Sequence, residues 1–221
     1  MNLPDTLLSE GWYWAAWIAW LPSFAFCFFK APWFRLKDSE LLNVWLGMVV
    51  LLSVIWGLKA GVKPGLDLHL LGVTVLVLCF GPYLAFIGLS LVLLVVTGNG
   101  DAGFGAYALN GLLSVGVGVV FCHYYQRVIK CFLPANFFIY VFINGFLGAA
   151  LTTMVIGFAA TAFLAVTGAY SWAYLSEEYF PYFMLLGFSE AWLSGMLMTL
   201  FVIYRPAWVV SFDDSSYLTN K

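Results

Sequence analysis

Residues 68–97 read LHLLGVTVLVLCFGPYLAFIGLSLVLLVVT, thirty positions without an Asp, Glu, Lys or Arg. A spanning helix needs about 20 apolar residues, so the run is too long for one ordinary span. It is also interrupted, at Gly81-Pro82. Proline lacks a backbone donor and disfavours helix in the residue before it. The run therefore predicts two helices meeting at a tight turn rather than one rod. The first, about 68–80, is only about 20 Å long at 1.5 Å per residue, short of the hydrocarbon core of about 30 Å. A helix that short has to lean on protein or line a cavity, where polar groups are tolerated. His69 stands at its threshold, two residues after Asp67.

The rest of the chain has the same character. Of 221 residues 63% are hydrophobic, 19% aromatic and only 9% charged. So few charges cannot cover that much apolar surface in water, which makes the bilayer the solvent of this protein. Further helices are expected at 11–29, 41–58, 83–97, 106–125, 136–167 and 179–204. The fold class is thus an all-α integral membrane protein of about seven transmembrane helices, a single transmembrane domain over 1–221. A short polar tail follows Arg205. Small residues recur along 116–120, 145–150 and 157–162 and read as close helix–helix packing.

Basic residues set the expected orientation. With the N-terminus outside and the C-terminus cytoplasmic, Lys30, Arg35, Lys37, Arg127, Lys130, Arg205 and Lys221 fall inside, and only Lys59 and Lys63 outside. Met1, His69 and the glycine-rich loop TGNGDAGFG (97–105) then share the outer face. His123 falls inside and reads as an interfacial residue beside Arg127. MNLPDTLLSEGWYW has no basic n-region, so no removable signal peptide is expected and Met1 keeps its free α-amine. Cys27, Cys79, Cys122 and Cys131 form no CxxC pair and read as reduced packing thiols.

Several functions are excluded or disfavoured. There is no basic stripe for nucleic acid, no GxxxxGK[ST] phosphate loop for ATP hydrolysis and no HExxH for a metalloprotease. GFSEAWLSG (187–195) lacks a nucleophile elbow, and no histidine lies at matching depth. An enzyme is not expected, and no cofactor is required.

What remains is the outer face. Ni(II) and Cu(II) favour nitrogen donors in planar or tetragonal arrangement. An α-amine, whose pKa is near 8, a backbone amide and an imidazole supply such donors. Met1 and Asn2 brought against His69 would make that set, with Asp5 or Asp67 as a carboxylate orienting the ring. The plain alternatives stay open: His69 as a packed interfacial residue, and Asp67 as the cap of the helix that follows. Glu190 lies mid-way along an apolar helix, where an ionisable group is costly and faces an interior. It either bonds a neighbour such as Asn110 or Ser194 for structure, or couples to transport.

The ordered motifs resemble the CbiM/NikM family, the substrate-capture membrane subunits (permeases) of energy-coupling-factor cobalt and nickel transporters of the ABC class. MNLPDTLLSEG is similar to the family's opening, close to MHIPDGFLS. PGLDLHLLG (64–72) and CFGPYLAF (79–86) resemble PGGTSGHLLGG and the LLGPWAA-like turn. GNGDAGFGAYALNG (98–111), GFSEAWLSG (187–195) and Arg205-Pro206 echo the family's GDGG–GANALNMG, GIGEGLIT-like and RP stretches. No single motif is specific; their order and spacing are. The resemblance implies a seven-helix domain holding a divalent metal with the N-terminal amine, the second residue and the histidine before LLG, here Met1, Asn2 and His69. This chain departs at Asn2, where the family has histidine, at Tyr107, where it has asparagine, and in a segment before His69 one residue shorter.

The reading that follows is uptake of a divalent transition metal, cobalt or nickel ahead of copper or zinc, across the inner (plasma) membrane. The resemblance implies separate ATPase and coupling membrane subunits as partners. The alternative, favoured by Asn2 and Tyr107, is a non-transporting scaffold or assembly protein on the same fold.

Overall fold

The computed structural model describes residues 3–58, 60–61, 66–100 and 102–213. Helix α1 (Glu10–Lys30) starts with an acid and ends with a base, each on the favourable end of the helix dipole. A short 3₁₀ turn (Trp33–Lys37) leads to α2 (Ser39–Gly57), whose first turn is capped by Asp38 accepting from the Glu40 amide at 2.8 Å. Strands β1 (Ala60–Gly61) and β2 (Asp67–Leu68) form a two-residue antiparallel bridge. Then come α3 (Val73–Gly98), α4 (Tyr107–Phe132), α5 (Phe137–Val166), the short α6 (Trp172–Glu178) and α7 (Phe180–Tyr204).

Among the described residues, six helical stretches are long and apolar enough to cross a membrane. Their outward faces carry exposed Trp14, Ile18, Phe29, Phe132 and Leu185. In water such a surface would aggregate; against lipid tails it is solvated.

One of the six, α3, is broken where the sequence places the break. Gly81 has φ 78° and ψ 172°, which only glycine adopts without strain, and Pro82 opens the next segment. The chain reverses there. Along α2, Trp45 donates its indole N–H to the Leu84 carbonyl (3.2 Å), whereas Trp56, eleven residues later, donates to Leu71 (3.1 Å). Residues 71–80 therefore run back along α2 toward its start, and 82–98 return. Every residue from Val73 to Phe80 is buried, so this half-helix, about 12 Å long, is walled by protein rather than lipid.

Two expectations need correction. The half-helix begins at Val73, not near 68, because Asp67–Leu68 pair as strand and Gly72, at φ 65°, breaks any helix before it. The described part of the stretch after Arg205, residues 206–213, is a packed segment and not simply a short polar tail. A 3₁₀ turn (Pro206–Trp208) folds it under the half-helix, where the Val210 and Ser211 amides donate to the Cys79 (3.1 Å) and Leu78 (3.2 Å) carbonyls. Arg35 adds a guanidinium 3.4 Å from the Cys79 carbonyl, and the Ser211 hydroxyl bonds Leu78 (2.8 Å) and Tyr140 (2.5 Å). The carbonyls that a helix end leaves orphaned are thus satisfied by a strap from the other end of the chain.

α4 and α5 each contain a π-helical stretch, Gly111–Gly116 and Tyr140–Leu147. Such wide turns rotate the residues above them relative to those below. In α4 this leaves Gly118 facing Val73 and Ile156 while Asn110, about 12 Å higher, faces the N-terminal segment.

Candidate functional site

The site is positioned by the start of the half-helix. Its first residue follows Gly72, whose φ of 65° turns the chain sharply, and a side chain there would strike Leu52. A helix N-terminus leaves backbone N–H groups unpaired and carries partial positive charge. Glu190 answers both needs. Its carboxylate, 2% exposed, accepts from the Leu71 amide and from the Gly72 amide, the latter at 3.2 Å to each oxygen. A buried acid in an apolar helix thus has its partners 118 and 119 residues away. The expected partner Asn110 is not one of them; the expected neighbour Ser194, one turn along the same helix, does lie against the carboxylate, beside the two amides.

His69 lies two residues before that clamp. It does not open to the mouth as a free interfacial ring: it is 5% exposed, with its ring centroid 4.6 Å from that of Trp56 and the planes 38° apart. Nδ1 sits 3.1 Å from the Leu70 carbonyl. A carbonyl only accepts, so Nδ1 carries the proton in that bond. Trp56 touches His69 with its face and bonds Leu71 with its edge, so one side chain fixes ring and backbone together.

The N-terminal segment is fixed as tightly. Asn110, fully buried, accepts from the Leu3 amide (2.8 Å) and donates to the Leu3 carbonyl (3.0 Å). Leu3 is itself fully buried. Tyr13 donates its hydroxyl to the Pro4 carbonyl (2.8 Å) and accepts from the Leu8 amide (3.0 Å). The Asp5 amide donates to Ala102 (2.8 Å), and its side chain lies against Gly103 and Gly105. The glycine-rich loop is therefore the surface against which Asp5 lies.

The sequence-derived residues divide accordingly. Met1 and Asn2 lie outside the described residues. Asp5 faces the 98–105 loop, and Asp67 is half-buried in β2, ahead of the helix and not its cap. Val73 contacts Gly118; from there the chain rises to His69 on one side and α4 rises to Asn110 on the other. His69 and Leu3 thus occupy the same end of the bundle. Tyr107 serves packing: its hydroxyl donates to Ser90 (2.9 Å) and its ring stacks on Trp17 at 5.8 Å. Sequence reasoning missed Trp56, since ten tryptophans in an apolar chain carry no signal for one of them. Among the described residues, no group of three or more His, Cys, Asp and Glu side chains is arranged to hold a metal ion.

Fold and site together define a multi-span membrane protein with a rigid loop around a buried histidine at one end. The model of the cobalt uptake substrate-specific transmembrane region (CbiM) matches residues 2–208, and the chain belongs to that family. Two crystal structures share its fold. One, of a truncated transition metal transporter, has a TM-score of 0.72 and 17% identity over 92% of this chain and 98% of the other. The second, of a transition metal transporter, has a TM-score of 0.71 and 16% identity over 92% and 93%. Comparison with curated proteins gives no match.

Proposed function

We propose that this membrane component of metal uptake captures cobalt(II) or nickel(II) on the outer side of the plasma membrane. The ligands are His69 Nε2, the α-amine of Met1 and a donor from Asn2, and the protein works with separate ATPase and coupling membrane subunits. The observation that carries the reading is the double anchoring at one end of the bundle. Trp56 and Glu190 hold the loop of His69, while Asn110 holds Leu3, two residues from the amine. A metal site gains affinity when its ligands are held before the ion arrives, because little ordering is left to be done on binding. Basic residues gather at the opposite end, at Lys30, Arg35, Arg127, Lys130 and Arg205, which supports an outward-facing His69.

Nitrogen donors suit nickel and cobalt. Asn2 offers a backbone nitrogen and an amide oxygen in place of an imidazole, and that one departure supports the second reading, a scaffold that binds no metal. Titration of purified protein with Ni(II), Co(II), Cu(II) and Zn(II), followed by elemental analysis, separates the two. Uptake by wild type supports capture. No uptake by wild type or by Asn2→His leaves the scaffold.

A further inference from the structure

Because the half-helix turns back at Gly81-Pro82, the second half of α3 starts short of the basic end of the bundle. The turn leaves a lateral groove of about 880 Å³ between α1, α3 and α4. Its wall is aromatic and aliphatic, formed by Phe26, Tyr83, Phe86 and Val120. Tyr83 packs edge-on against Phe26 at 5.9 Å, and Phe86 stacks on Trp20 at 4.8 Å, so the wall is stiff. The rim is polar and basic, with His123 and Tyr124 on one turn of α4 and Arg127 on the next. No carboxylate lines the groove, and among the described residues Arg127 makes no ion pair. Arg127 lies five residues before the end of α4, about 8 Å from it, near the boundary between acyl chains and headgroups.

A concave apolar wall that ends in an unbalanced cation at headgroup depth has the amphipathic pattern of a phospholipid with net negative charge. We infer that this groove holds one anionic phospholipid, its acyl chains on the aromatic wall and its phosphate on Arg127, with the His123 ring beside it. Basic pockets between spanning helices recognise lipid headgroups in this way. A helix of a partner protein would need a long complementary face. Here the apolar wall instead gives way within the groove to a basic corner at His123 and Arg127.

The test uses the whole chain, washed of lipid in detergent and studied by native mass spectrometry with added phosphatidylglycerol or phosphatidylcholine. One phosphatidylglycerol should be retained per chain, with about five-fold preference over phosphatidylcholine. Arg127→Gln should bring that preference close to parity, and Lys130→Gln, one turn on and outside the groove, should leave it unchanged. Val120→Trp, at an exposed position on the wall, should exclude both lipids while thermal melting stays near wild type. Equal retention of the two lipids by wild type would overturn the inference, as would an unchanged preference in Arg127→Gln. A photo-crosslinker at position 120 in cells should label lipid. Labelling of a protein chain in its place would assign the groove to a subunit and overturn the lipid reading.

Discussion

Glu190 holds, through one carboxylate, both the backbone beside His69 and the N-terminus of the half-helix. Replacing it with glutamine keeps one oxygen that accepts from those amides, so Glu190→Gln should fold and lose only a few degrees of thermal stability. Glu190→Ala leaves the Leu71 and Gly72 amides unpaired in an apolar interior, at about 1–3 kcal/mol each, and should melt well below the glutamine variant. Equal melting of the two would mean that the carboxylate is not a clamp. At the same scale, Trp56→Phe keeps an aromatic face against His69 but removes the donor to Leu71. It should fold and bind metal about ten-fold more weakly, the loss expected for one buried hydrogen bond that positions a ligand. Unchanged affinity in that variant would reduce Trp56 to filling space. Asn110 gives a third contrast. Asn110→Asp turns the donor to the Leu3 carbonyl into an acceptor, so it should loosen residues 3–8 more than Asn110→Ala does, read by amide hydrogen exchange at Leu3 and Asp5.

Among elements, the half-helix is the unusual one: protein encloses its flank, a carboxylate caps one end, and Arg35 with the strap caps the other. Gly81→Ala puts a side chain where φ is 78° and ψ 172°, a strain of about 1–3 kcal/mol. It should lower the melting temperature, whereas Pro82→Ala, which leaves the turn's glycine in place, should cost less. The break at Gly81-Pro82 was legible because glycine and proline act through their own backbone. The start of the half-helix was not. Positions 68–72 are apolar enough to continue a helix, and what keeps them out of one is β1 at Leu68, the left-handed turn at Gly72 and Glu190 on the Leu71 and Gly72 amides. The same limit applied to the site: His69, Glu190 and Asn110 stood out as polar residues in an apolar chain. The partner of Asn110 is 107 residues distant and those of Glu190 118 and 119, so spacing along the chain could not name them.

At the scale of the whole molecule, His69 and the N-terminal segment should lie on one side of the membrane and the strap on the other. Cysteines introduced at 61 and 100 should react with an impermeant thiol reagent applied from outside, and one at 38 should not. The native exposed Cys131, four residues after Arg127, serves as an internal control and should also stay protected. Labelling at 38 and 131 alone would reverse the orientation. The central claim is that His69, with the amine of Met1, captures the ion. Calorimetric titration of the purified protein with Ni(II) tests it most directly, with His69→Ala and a variant extended by residues before Met1 run beside it, thermal melting confirming that each is folded. Wild type should take up one ion per chain, both variants should lose most of that binding, and Asn2→His should bind more tightly by restoring an imidazole. Undiminished binding in His69→Ala, or none in either wild type or Asn2→His, would contradict the account.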